Sequence, residues 1–173
     1  MPTDDKSERP PVRSTERGRP DGAAFLLAQL GAHAAGRFAE RVAEVGLTPP
    51  QAGLLRASAR DPGSSQQRLA TRLGLLPSRM VAFVDELEER GLLRRERSRA
   101  DRRQYALHLT EDGEALMGRL ATVARAHDRD LLQSLSEPER ELLAGLLRRV
   151  AADQGLTAGA HPGYRQLGAP GGR

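Results

Sequence analysis

The chain has 173 residues, enough for one domain with a real core and too few for two comfortable ones. Aromatic residues make up only 3% and Trp is absent, so the core must come from Leu, Val and Ala, a set that suits packed helices better than sheets. The formal net charge is +4, carried almost wholly by arginine, and the absence of cysteine removes disulfides, thiol redox sensing and thiolate metal sites.

Residues 1–20 are Pro, Ser, Arg and acid, with too little apolar surface to offset chain entropy, and are expected to form a disordered tail. They hold no apolar leader segment, and no apolar run approaches the ~20 residues of a bilayer span, so a soluble, cytoplasmic protein without a membrane partner is expected. Residues 21–153 read as one continuous domain. Its first helix is predicted over about 22–45, where Leu27, Leu30, Ala34, Phe38 and Val45 recur at helical spacing and Gly46 stops the run. Thr48-Pro-Pro-Gln51 supplies a capping box and a proline start for a second helix, Pro49 to Arg60, closed by Asp61-Pro62-Gly63. Ser64 and Ser65 then cap a short third helix, Gln66 to Leu73, with Gly74 at its end. A fourth, Pro77 to Arg90, carries Met80, Val84 and Leu87 on one face.

After Gly91 the period changes. Leu92–Arg97 and Gln104–Leu109 read as two strands, the second with Tyr105, Leu107 and Leu109 alternating inward, joined by the charged loop 98–103. Thr110 caps a fifth helix over about 111–134, with Glu111 and Asp112 in its first turn and a stripe of Leu116, Leu120, Val123, His127 and Leu131. Ser136-Glu-Pro-Glu139 is another capping box, opening a sixth helix over about 138–153 rich in leucine. Residues 154–173, with Gly and Pro throughout, are expected to be a second disordered tail.

Short helices separated by a glycine-containing turn and followed by a hairpin describe a helix-turn-helix (about 65–90) with a wing (about 92–109). The fold class expected is therefore mainly α with a small β-hairpin. From Arg94 to Arg103 the hairpin holds six arginines against Glu96 and Asp101, a balance suited to neutralising phosphates. Metal-ligand spacing, a phosphate-binding loop after a strand and a catalytic triad are all missing, so neither an enzyme nor a cofactor is expected.

Leu69-Ala-Thr-Arg-Leu-Gly-Leu75, Val84-Asp-Glu-Leu-Glu-Glu-Arg-Gly-Leu92 and Ala100-Asp-Arg-Arg-Gln-Tyr-Ala-Leu-His-Leu-Thr-Glu-Asp-Gly113 resemble the MarR family of winged helix-turn-helix transcriptional regulators. The similarity covers roughly Ala23 to Ala152, and Asp-Arg-Arg followed by Leu-x-Leu-Thr-x-x-Gly is its most specific part. It implies a homodimer held by the first, fifth and sixth helices, bound to double-stranded DNA at a pseudo-palindromic operator. It also implies a fourth helix in the major groove and wings in the flanking minor grooves. Members often respond to small aromatic acids, so a repressor modulated by a small aromatic or anionic ligand is expected, with His33 and Arg37 as candidate ligand contacts. His127, on the fifth-helix stripe, is read as a histidine satisfied by packing.

Roles then follow by position. Ser65 and Gln66, at the start of the third helix, suit a phosphate. On the fourth helix Ser78, Arg79 and Ala82 face away from the core, and Arg79 is the expected base reader. In the wing Arg95, Arg99, Arg102 and Arg103 are expected to meet DNA, with Arg103 or Arg102 in the minor groove and Asp101 orienting a neighbouring arginine. The chain departs from the family pattern at Leu76, Val81 and Ala82, where a hydroxyl cap and polar or basic base contacts are usual. Either specificity leans on Arg79 and on thymine-methyl contacts from Val81 and Ala82, or more of the affinity comes from the wing.

Overall fold

The computed structural model describes residues 22–97 and 104–164. Their elements are α1 (Ala23–Glu44), α2 (Pro49–Arg60), α3 (Gln66–Leu73), α4 (Pro77–Glu89), β1 (Leu93–Arg97), β2 (Tyr105–Leu109), α5 (Glu111–Leu131), α6 (Glu137–Asp153) and a 3-10 turn at Pro162–Tyr164. Residues 1–20 and 165–173, expected to be tail, lie outside the described residues, as do the loop residues 98–103. The chain divides into two units at His33. In the first unit the described part is the N-terminal half of α1, whose side chains are all exposed.

Within the second unit, residues 34–173, the helix starts follow their sequence signals. Thr48 and Gln51 form the reciprocal capping box, Ser65 Oγ accepts from the Arg68 N–H at 3.2 Å, and Thr110 Oγ1 accepts from the Gly113 N–H at 3.1 Å. At α6 the Glu139 carboxylate accepts from both the backbone and the hydroxyl of Ser136. α5 stops at Leu131, earlier than expected, because Leu132 to Leu135 fold into a turn whose carbonyls accept from Arg140.

The core is built where α2, α3, α4, the hairpin and α5 converge, with Leu54, Leu55, Leu69, Met80, Val84, Leu87, Leu93, Leu107 and Leu116 almost fully buried. The strands pair antiparallel with Leu93 opposite Leu109, Arg95 opposite Leu107 and Arg97 opposite Tyr105. Partners across a ladder share a face, so Arg95 lies on the inward side beside Leu107, while Arg94 and Glu96 lie on the other. Tyr105 corrects the expected alternation: it is 44% exposed at the open end of the ladder, under the Arg97 guanidinium at 5.6 Å, and Ala106 is buried instead.

The junction from wing to α5 explains the Leu-Thr-x-x-Gly motif. The Thr110 hydroxyl donates to the Gly91 carbonyl at 2.5 Å and its N–H to the Leu92 carbonyl at 3.3 Å. Gly113 then passes so close to Leu92 that a Cβ on it would collide with that carbonyl oxygen.

A second correction concerns the segment after α6. Residues 154–164 are not a featureless tail: the 3-10 turn buries the Tyr164 ring to 6% exposure in the main core. The Tyr164 ring, Ala160 packed on the core and the Arg56 bond to the Gly159 carbonyl together tie this Gly/Pro-rich stretch down.

Candidate nucleic-acid interface

The outward face of α4 is set by its inward one. Met80, Val84 and Leu87 point into the core, which leaves Ser78 and Ala82 exposed, Val81 43% exposed and Arg79 half-buried at the rim. The helix begins at Leu76, which has no hydroxyl and makes no side-chain cap, with Pro77 next. The backbone N–H groups of Ser78 and Arg79 therefore have no capping side chain in front of them.

Ser65 and Gln66 are partly buried at the start of α3. With Thr71, Val81, Gln104 and Tyr105 they line an open hollow of about 520 Å³ between α3, α4 and the start of β2. Of the sequence-predicted residues of the helix-turn-helix, Ser65, Gln66 and Val81 thus share one hollow. Of the wing residues, Arg99, Asp101, Arg102 and Arg103 lie outside the described residues.

Arg95, expected to meet DNA, is engaged within the chain. Its guanidinium is turned inward, 19% exposed, and bonds Glu88 Oε2 at 2.6 Å and Asp85 Oδ1, while its backbone N–H donates to Glu88 Oε1 at 2.9 Å. Burial alone would lower its pKa, but the two carboxylates outweigh burial and hold it above the ordinary arginine value. Arg95 is therefore a fastening between wing and α4 rather than a free cation. The pairing also neutralises two of the four acids on α4 next to the candidate phosphate-facing surface. A third, Glu86, accepts from Gln51 Nε2 at 2.5 Å. A count of charges treats all hairpin arginines alike; strand parity is the signal that separates Arg95 from its neighbours.

The candidate ligand residues are placed apart from any such cluster. Arg37 is exposed and pairs loosely with Glu40 at 3.9 Å, and His33 is exposed in the first unit. Sequence reasoning missed an apolar cavity of about 140 Å³ between α1, α2 and α5, lined by Phe38, Gly53, Arg56, Met117, Leu120 and Tyr164 among others. Arg56 is the charged member of that lining. Its partial signal was the lone Tyr164 in the C-terminal Gly/Pro stretch.

Among the described residues no helix is long and apolar enough to cross a membrane. Residues 45–104 match the model of the MarR family. The chain is similar to a putative transcriptional regulatory protein for the hcr operon of Thauera aromatica, 40% identical over 105 residues, which are 61% of this chain and 63% of that protein, just under two thirds of its length. It is 30% identical over 129 residues, 75% of this chain and 93% of the relative, to the repressor Rv2887 of Mycobacterium tuberculosis. That protein is also solved as a MarR family protein in complex with DNA, with 27% identity, a TM-score of 0.65 and coverage of 74% and 96%. A repressor named CouR, solved on a 23-mer DNA duplex, is 35% identical with a TM-score of 0.67, covering 75% of this chain and 92% of that one. CouR from Rhodococcus jostii RHA1, bound to p-coumaroyl-CoA, is 28% identical with a TM-score of 0.64 and coverage of 76% and 92%.

Proposed function

The chain belongs to the MarR family, and from that premise we propose that it is a sequence-specific DNA-binding transcriptional regulator, a dimeric repressor whose hold on its operator is tuned by a small aromatic or anionic ligand. The observation that carries this reading is α4, uncapped and exposed at its start and tied near its end, at Asp85 and Glu88, to an arginine-rich hairpin by Arg95. In this reading Arg79 reads a base edge, Ser78, Val81 and Ala82 line the major groove, and Ser65 and Gln66 hold phosphate. Arg99, Arg102 and Arg103 neutralise backbone phosphates or enter the minor groove, with Asp101 orienting one of them. Arg95 positions the wing without touching DNA. Residues 21–153 form the regulator proper.

Dimerisation is supported by apolar surface that one chain leaves uncovered. α6 buries none of its residues, although Leu142, Leu146, Leu147 and Val150 are 39–65% exposed. In the first unit, Phe25, Leu26, Leu27 and Leu30 are 42–56% exposed. Surfaces of this kind mark an interface, and a two-fold axis would ask for a pseudo-palindromic operator. The effector part of the reading is supported by the ligand-bound relative from Rhodococcus jostii and by the apolar cavity with its single arginine.

Selection of genomic fragments by the purified protein, with footprinting of those retained, tests the proposal. A regulator making several phosphate contacts should lose affinity by orders of magnitude between low and physiological salt and protect a two-fold symmetric site. Retention of no fragment at low salt would overturn it and favour a winged-helix module that binds protein.

A further inference from the structure

One wall of the cavity between α1, α2 and α5 is the chain's own C-terminal Tyr164 ring. α6 ends at Asp153, and the chain then crosses to α2, where the Gly159 carbonyl accepts from Arg56 Nη2 at 2.6 Å. The 3-10 turn that follows lays the Tyr164 ring over α2 at Gly53. The seat fits a ring closely: a Cβ on Gly53 would fall 2.8–3.0 Å from Tyr164 carbons and hydroxyl, so a larger residue there forces the ring to move. Phe38, Met117 and Leu120 complete the apolar walls. Arg56 thus has two neighbours that mimic a ligand, a backbone carbonyl oxygen on its guanidinium and a phenol close by.

The same segment reaches the DNA-facing half of the unit. Leu156 and His161 share a cavity of about 260 Å³ with Arg72, Leu73 and Gly74, at the end of α3 where the chain turns toward α4. A change in how residues 156–164 sit is therefore felt next to the turn of the helix-turn-helix.

We propose that residues 156–164 are a built-in strap whose Tyr164 ring occupies the cavity as an internal aromatic ligand, so that an external effector acts by displacing it. For the small aromatic anion of the reading above, the ring would replace that of Tyr164 and the anion would replace the Gly159 carbonyl on Arg56. Release of the strap then alters the walls of the cavity it shares with the end of α3. This inference rests on the effector reading above but concerns how the site is gated rather than whether DNA is bound.

The experiment uses the full chain and p-cresol, which is the tyrosine side chain as a free molecule, with binding followed by calorimetry in the absence of DNA. Tyr164→Ala leaves an apolar hole of the kind that takes up a free aromatic, so it should bind p-cresol about tenfold or more tighter than the unaltered protein. Equal affinity in the two proteins overturns the proposal.

Because removing a buried ring can unfold the chain, Gly53→Ala gives a second arm. Alanine favours helix over glycine, so α2 should persist while the ring is expelled. Burial holds the Tyr164 phenol above the usual tyrosine value, with Arg56 pulling the other way. In a Tyr105→Phe background, where Tyr164 is the remaining tyrosine, Gly53→Ala should bring its ionisation down to the ordinary range with unchanged helix content. An unchanged, raised ionisation again overturns the proposal. Failure of the effector reading looks different: p-cresol binds Tyr164→Ala tightly, yet no aromatic acid alters DNA binding by the unaltered protein.

Discussion

Arg95 on β1 and Asp85 on α4 are bonded side chain to side chain, with Glu88 as the third member, and this contact ties the wing to the helix before it. The pair is neither fully buried nor fully wet: Arg95 is 19% exposed and Asp85 49%. Coulombic gain is therefore screened on the acid side, and the value of the contact lies as much in orientation as in stability. Arg95→Ala should lower unfolding stability by about 1–2 kcal/mol in urea titrations. It should also weaken binding to specific and random DNA alike, since it releases the wing and uncovers two carboxylates near phosphate. Loss of operator binding alone, with random DNA unaffected, would instead mark Arg95 as a base reader.

Arg79 carries the opposite expectation. It sits at the rim of the exposed α4 face and is the side chain there able to make a bidentate contact to guanine. Arg79→Ala should cost about 1–3 kcal/mol on the operator and little on random DNA, measured by competition at fixed salt. Equal losses on both would reassign it to phosphate.

How far these roles can be read from the chain alone depends on what each residue's neighbours are. The capping boxes at Thr48 and Ser136 and the Ser65 and Thr110 caps are local, decided within four residues, and the helices begin where those signals stand. Arg95 required the cross-strand partner: only the pairing with Leu107 reveals that it faces inward. Tyr164 required a contact over a hundred residues away, with Gly53, which no periodicity encodes. Tyr105 misled because alternation continues past the point where other elements cover the ladder.

Two glycines of α5 give a matched pair. Gly113 abuts the Leu92 carbonyl, which is backbone and cannot swing aside, so Gly113→Ala must shift either the wing or the helix. A loss of about 2–4 kcal/mol is expected, larger than ordinary overpacking against a flexible side chain. At Gly118 an added Cβ would meet nothing within 4 Å, and the residue lies in the exposed helix interior. Gly118→Ala should stabilise by about 0.5–1 kcal/mol through helix propensity alone. Thermal or urea unfolding of both variants checks the pair, and similar effects from the two substitutions would refute the close approach at Gly113.

His127 supplies a pH dependence. It packs against the Phe38 ring at a centroid distance of 5.5 Å, and its pKa is held below 6.5 by burial first and by the Arg41 charge second. Arg37 acts in the same direction, Asp128 and Asp130 against it, and Asp130 is itself engaged by Arg41 at 2.6 Å. A histidine that binds its proton less readily folded than unfolded contributes stability above the unfolded pKa, and that contribution is lost as pH falls through the folded one. The protein should therefore lose stability between about pH 7.5 and pH 5.5, the range spanning the unfolded histidine value. His127→Gln cannot titrate, so its urea midpoint should fall less over the same interval than that of the unaltered protein. His33, His108 and His161 are common to both proteins, which makes the difference between the two curves the quantity that reports His127. Parallel curves would mean that the charge on His127 is equally well accommodated in the folded chain.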